Sequence, residues 1–216
     1  MKYFLVIILV ITGVLSLPGI SHAVSAKDIV LKGNNRGAIA CASCHGAQGE
    51  GNPRANYPAL AGQPEAYLIK QLNDFSASKR ENVIMQNFAT ALSAEEKQAV
   101  SAYYAMMPSS TRNKMPADKI ITGMAEEIFY KGKWNQGIPA CIQCHGSKGQ
   151  GVAPYFPAIA GQHSGYIAIQ LHLWKQGIRK NDPQGLMKSI VQPLSNVEIK
   201  ALADYISALS ITGQSR

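Results

Sequence analysis

The sequence predicts an all-α fold built from two tandem copies of one small domain, and three observations carry that prediction. The pentapeptide Cys41-Ala42-Ser43-Cys44-His45 returns 100 positions later as Cys141-Ile142-Gln143-Cys144-His145. The likeness around it runs for about 90 residues in each copy, too long for a solenoid unit and enough for a small domain. Ser93-Ala94-Glu95-Glu96 and Ser195-Asn196-Val197-Glu198 both carry the S-x-x-E signature of a helix start, ahead of apolar residues at helical spacing. No stretch alternates apolar and polar residues as a half-buried strand would.

The chain opens on Lys2, an apolar stretch from Tyr3 to Leu17 broken only by Thr12, Gly13 and Ser16, and a small-x-small triplet, Ser21-His22-Ala23. Residues 1–23 therefore read as a secretory signal peptide cut after Ala23. A retained anchor is the competing reading, because the run lies just below the length of a membrane span. The first domain is placed at 24–107, the linker at 108–117, where polar residues lie between two prolines, and the second domain at 118–216.

Register defines the elements of each copy. Ala26 to Gly33 matches Ala125 to Gly132 at an offset of 99, which becomes 100 at the cysteines and at Gly46, Gly49 and Gly51. It returns to 99 for Tyr57-Pro58-Ala59-Leu60-Ala61-Gly62-Gln63 against Phe156-Pro157-Ala158-Ile159-Ala160-Gly161-Gln162, and for Tyr67, Gln71 and Arg80 against Tyr166, Gln170 and Arg179. Three residues inserted around Asp182 to Gly185 then set it at 102. Pro64 and Glu65 suit a first helical turn, Ser164 is the candidate cap in the second copy, and Gly177 lies past that helix's end. Each copy thus reads as short helix, Cys-Cys-His turn, Gly/Pro loop, helix, Met-bearing loop, helix.

C-x-x-C-H is the spacing of a c-type haem attachment site. Two thiols one helical turn apart can each add to a vinyl group of the same porphyrin, and the adjoining histidine can ligate iron through Nε2. A zinc half-site, a thioredoxin-like pair or a disulfide are the competing readings. A thioredoxin-like site needs a βαβ context, and four-cysteine zinc leaves both histidines unexplained. Cys41, Cys44, Cys141 and Cys144 are thus expected to hold two covalently attached haem c groups, with His45 and His145 as iron ligands. All four cysteines of the chain are used.

Met85 lies seven residues before Leu92, and Met187 seven before Leu194, each just ahead of a capping box. Met106, Met107, Met115 and Met124 have no counterpart in the other copy. Methionine is ordinarily a flexible core filler, but two in register after matched haem turns read as thioether ligands, a pairing that raises the potential. His163 and His172 are rivals in the second copy alone, with a surface or helix-face role favoured for both. Gly46-x-x-Gly49-x-Gly51 follows no strand and reads as a tight loop approaching the ring edge, not a nucleotide fingerprint. The carbonyls of Pro58 and Pro157 are candidates to accept the Nδ1–H of the axial histidines. Tyr103 and Tyr205 are candidates for the porphyrin edge, with core packing the alternative.

The formal charge is +8. It is spread over both halves, with no basic run or aromatic-interleaved patch, which argues against nucleic acid and favours an acidic redox partner or an anionic membrane surface.

These motifs together resemble the di-haem cytochrome c4 family: C-x-x-C-H-G, Tyr/Phe-Pro-x-Leu/Ile-Ala-Gly-Gln, Tyr67 and Tyr166 followed by Gln-Leu, the arginine before each methionine and the capped last helix. The resemblance implies two tandem class I cytochrome c domains related by pseudo-twofold symmetry, axial ligands His45, Met85, His145 and Met187, and a periplasmic electron carrier, loosely membrane-associated, feeding a terminal oxidase. It implies redox proteins as partners and no small-molecule substrate. The first copy departs from the pattern, with Glu81-Asn82-Val83-Ile84 where the second has an Asn-Asp-Pro segment. The alternatives are a di-haem enzyme of peroxidase or thiosulfate dehydrogenase type, which calls for an open iron site, or a cytochrome subunit of a larger redox complex.

Overall fold

The computed structural model describes residues 25–109 and 123–210. The signal segment and most of the linker lie outside these residues. The first copy forms α1 (Ala26–Lys32), α2 (Ala42–His45), α3 (Glu65–Ser76), α4 (Val83–Thr90) and α5 (Ala94–Met106). The second repeats them as α6 (Met124–Lys131), α7 (Ile142–His145), α8 (Ser164–Lys175), α9 (Leu186–Val191) and α10 (Asn196–Ala208). Among the described residues, β pairing is confined to isolated bridges such as Asn52 with Tyr57 and Val152 with Phe156.

Local chemistry sets the helix ends. Ser25 Oγ accepts from the Asp28 amide at 3.2 Å to start α1, satisfying one of the donors every helix N-terminus leaves open. Both capping boxes form: Ser93 and Glu96 bond reciprocally at the start of α5, as do Ser195 and Glu198 at α10. Gly33 ends α1 at a φ of 83°, where a Cβ would stand 2.2 Å from the Ala38 carbonyl oxygen, and Gly132 does the same after α6. Only glycine fits so close an approach of chain to chain.

In each copy the first and last helices pack together, and the long middle helix lies against the last helix and the methionine-bearing one. Two separate cores result. Ile29, Val30, Leu68, Leu92, Val100 and Tyr104 form the first. Ile128, Phe129, Ile138, Ile199, Leu202, Tyr205 and Ile206 belong to the second.

Several expectations are corrected. Met85 and Met187 lie on helices α4 and α9, not in loops. Asn82 caps α4 by accepting from the Met85 amide at 2.9 Å. In the second copy the three-residue insertion makes a 3₁₀ turn, Pro183–Gly185, and Asp182 Oδ2 accepts from the Lys188 amide at 3.0 Å. Ser164 does not cap α8: His163 holds the cap position, and the Ser164 hydroxyl donates to Asp204 instead. Gly46, Gly49 and Gly51 all have positive φ, as the expected tight loop requires. Gly49 O accepts from the Leu60 and Ala61 amides at 2.8 and 3.0 Å.

The two copies meet through reciprocal polar contacts. Gln63 Nε2 donates to Ala158 O at 2.8 Å, and the Ala158 amide donates back to Gln63 Oε1 at 3.0 Å. Gln162 makes the same pair with Ala59, both bonds 2.9 Å. Equivalent residues bonding each other's counterparts are the mark of an isologous, twofold contact.

Candidate haem sites and the interface between them

Cys41 stands at the cap position of the short helix α2 and His45 ends it, so one turn presents both thiols and the imidazole, and α7 repeats the arrangement. His45 and His145 are 7% and 8% exposed. His45 Nδ1 donates to Pro58 O at 2.9 Å and His145 Nδ1 to Pro157 O at 2.8 Å. A carbonyl can only accept, so Nδ1 carries the proton and Nε2 keeps its lone pair for a metal. Burial lowers the basicity of both rings, which holds them neutral as ligation requires.

A cavity of about 820 Å³ is lined by Cys41, Cys44, His45 and Met85 from the first copy and by Cys141, Cys144, His145 and Met187 from the second. The structure brings all eight sequence-predicted site residues to this one space. Burial pushes the Cys41 and Cys141 thiols up to about 11. A thioredoxin-like pair needs the opposite shift, and no three His, Cys, Asp or Glu side chains gather into a metal-holding group among the described residues.

Between the two sets of residues lies a buried polar cluster. Arg80 and Arg179 are 7% and 5% exposed. Arg80 donates to Gln71, Tyr166 and Gln170, each at 2.8 Å. Arg179 donates to Gln170 at 2.8 Å and to Asn181 at 3.0 Å. All these acceptors are neutral, and among the described ion pairs neither guanidinium appears. Burial and the neighbouring Arg80 push Arg179 below its usual range. The buried Asp74 carboxylate acts on Arg80, which is held above its usual range; buried cations short of anions are costly, and each haem would bring two propionates. Tyr104 Oη and Ser101 Oγ, on the same cavity, are buried without a partner. Large apolar space, paired thiols, neutral imidazoles and buried guanidiniums fit haem, and fit two of them.

His163 and His172 lie outside this cavity's lining. His163 is buried, correcting the surface reading, and its Nε2 bonds Glu50 O across the interface at 3.0 Å. Tyr103 and Tyr205 do not line the cavity either. Tyr205 packs on Phe129 at a centroid distance of 5.6 Å, a core role, and it is Tyr104 that reaches the cavity. The glutamines of the interface carried a signal in the sequence: Gln63 and Gln162, and Gln71 and Gln170, recur in register in the two copies.

Fold and site define a chain of two tandem c-type haem domains. The cytochrome c family pattern matches residues 32–108 and 126–210. The thiosulfate dehydrogenase electron acceptor of Stutzerimonas stutzeri (strain A1501) is 42% identical over 188 residues, 87% of each chain. Cytochrome c4 of Pseudomonas aeruginosa is 39% identical over 197 residues, 90% of this chain and 94% of that one. Among solved structures, reduced recombinant cytochrome c4 from Pseudomonas stutzeri superposes with a TM-score of 0.71 at 36% identity, over 79% of this chain and 93% of its own. A thiosulfate dehydrogenase (TsdBA) from Marichromatium purpuratum gives a TM-score of 0.79 at 34% identity over 89% of this chain, which spans 41% of that longer one. The chain belongs to the cytochrome c family and is a di-haem, cytochrome c4-like electron carrier with two covalently attached haem c groups. Among the described residues no helix is long and apolar enough to cross a membrane.

Proposed function

We propose that this chain is a periplasmic carrier that takes electrons from a dehydrogenase of the thiosulfate-oxidising type and delivers them to a terminal oxidase. Residues 1–23 direct export, and 24–107 and 118–216 are the two haem domains joined through 108–117. His45 and Met85 hold one iron, and His145 and Met187 the other.

The observation that supports this most is the convergence of two complete sets, each a thiol pair, a neutral imidazole and a thioether, on one cavity. Haem supplies a one-electron couple there. The chain's own residues do the rest. Cys41, Cys44, Cys141 and Cys144 would hold the two haems through thioether bonds, Pro58 and Pro157 hold the imidazoles at Nδ1, and Arg80 and Arg179 would offer positive charge to the propionates. With Met85 and Met187 as the sixth ligands, neither iron would keep an open position for a substrate, which separates a carrier from a peroxidase-like enzyme. The resemblance to an electron acceptor of thiosulfate dehydrogenase favours that donor. The basic surface excess suits an acidic partner or an anionic membrane surface.

The test is stopped-flow reduction of the purified oxidised protein. Thiosulfate with a thiosulfate dehydrogenase is expected to reduce both haems, while thiosulfate alone reduces neither. Membranes rich in terminal oxidase then reoxidise them. Turnover of thiosulfate or peroxide by this chain alone would overturn the carrier reading. The match to part of a longer thiosulfate dehydrogenase chain favours a second reading, a stable subunit of such an enzyme, which gel filtration of the mixture separates from a free carrier.

A further inference from the structure

We infer that Gln63 and Gln162 are crossed positioning residues: each sets the hydrogen bond made by the axial histidine of the opposite domain. This rests on the proposal that His45 and His145 ligate iron. The Pro58 carbonyl that accepts from His45 Nδ1 and the Ala59 N–H belong to one peptide group. That N–H donates to Gln162 Oε1 at 2.9 Å, while Gln162 Nε2 donates to Ala59 O at 2.9 Å. The histidine, the peptide and the second domain's carboxamide therefore form one continuous chain: His45 Nδ1–H to Pro58 O at 2.9 Å, then Ala59 N–H to Gln162. The mirror chain runs from His145 through the Pro157–Ala158 peptide to Gln63, with bonds of 2.8 and 3.0 Å.

The setting is dry. Ala59 and Ala158 are 1% and 2% exposed, and Gln63 and Gln162 5% and 4%. Hydrogen bonds in series polarise one another in such surroundings. An amide N–H that is itself bonded leaves its carbonyl richer in electrons, a better acceptor for Nδ1–H, and the imidazole becomes a more basic ligand. A more basic ligand favours the oxidised iron. Each glutamine thus lowers the potential of the haem in the other domain. It also fixes the peptide, and with it the plane of the imidazole. The contact that joins the domains is therefore the contact that tunes them, so the two centres are not electronically independent modules.

The experiment uses the holoprotein with Gln162→Met and Gln63→Met, which keep side-chain length without the hydrogen bonds, and Gln162→Glu as a variant that keeps the acceptor. Potentials are assigned to each haem by potentiometric titration followed by NMR, and exchange of the histidine Nδ1–H protons is followed in the same spectra. Gln162→Met is expected to raise the potential of the haem on Cys41 and Cys44, and to speed His45 Nδ1–H exchange about fivefold, the worth of one hydrogen bond. The other haem stays as it was. Gln63→Met does the reverse, and Gln162→Glu restores slow exchange at His45. Equal shifts at both haems, or a shift confined to the glutamine's own domain, would overturn the inference. Should either methionine variant fail to fold, the direction of the Gln162→Glu shift decides: a potential lowered at the first haem alone supports the crossing, and no selective change overturns it. Absence of ligand-type Nδ1–H resonances in the unaltered protein would instead remove the histidine ligation on which the inference stands.

Discussion

Arg80 and Arg179, one from each domain, share the side-chain oxygen Oε1 of Gln71, with Arg80 Nη1 at 2.8 Å and Arg179 Nη2 at 3.4 Å. Gln170 is shared in the same way, both bonds 2.8 Å. Two cations converging on neutral oxygens in an interior call for anions beside them; Asp74 acts on Arg80, and haem propionates would supply the rest. Reduction adds one electron to a haem, so a nearby cation favours the reduced form. Replacing Arg179 by Gln is therefore expected to lower the potentials, read by potentiometric titration. Unchanged potentials would mean that the guanidinium is compensated away from the haems.

Met85 and Met187 occupy equivalent helices on the same cavity. Met85→Ala and Met187→Ala should each remove about half of the weak sulfur-to-iron absorption of the oxidised protein near the red end of the spectrum, as expected for one thioether per iron. Each variant should also bind added imidazole at one haem. Full absorption in both variants would exclude these methionines as ligands.

The first core is small, and its members Leu68, Leu92, Val100 and Tyr104 face a cavity that the cofactor fills. Leaving such a space empty removes packing that the helices cannot replace. Cys41→Ala/Cys44→Ala protein should lose cooperative melting of the first domain, a loss of ~5 kcal/mol or more, while the second domain keeps its haem and its transition. Calorimetry showing two undiminished transitions would contradict this.

Glu198 joins three donors: Lys133 Nζ at 2.5 Å, the Ser195 amide at 2.7 Å and Ser195 Oγ at 2.8 Å. Lys133 foremost, and then the Ser195 bonds, hold its carboxyl at about 2, well below the ordinary 4.5. The unfolded chain takes up this proton first. The stabilisation is therefore complete above pH 4.5 and is lost as pH falls towards about 2. Glu198→Gln should cost about 2 kcal/mol at neutral pH and flatten that acid limb, measured by thermal melts of the second domain across pH.

What the sequence disclosed was either local or repeated. The Cys-Cys-His turns, the capping boxes at Ser93 and Ser195, and the bond from each histidine to Pro58 or Pro157 all follow from short-range patterns, and the structure contains each of them. The helices carrying Met85 and Met187 span eight and six residues, too few for a periodicity to declare itself. Ser164 looked like a cap by residue type, but Asp204, 40 positions away, takes its hydroxyl. The interface escaped for a different reason. A repeat shows that Gln63 and Gln162 are equivalent, yet says nothing of whether either faces its own copy or the other, and their partners lie 95 and 103 positions away.

The register of the duplication acquires a meaning from that interface. The offset between copies wanders from 99 to 100 and ends at 102, but it stays at 99 from Tyr57 to Arg80. That block contains Ala59, Gln63, Gln71 and Arg80, which bond residues of the opposite copy. An insertion here in one copy would break its own contacts and those its twin makes to it, doubling the damage. Elsewhere a loop can lengthen in one copy alone, as it has at Pro183. Through the block that crosses the interface the two halves keep one length, so the surface they share is also a ruler against which their divergence elsewhere can be measured.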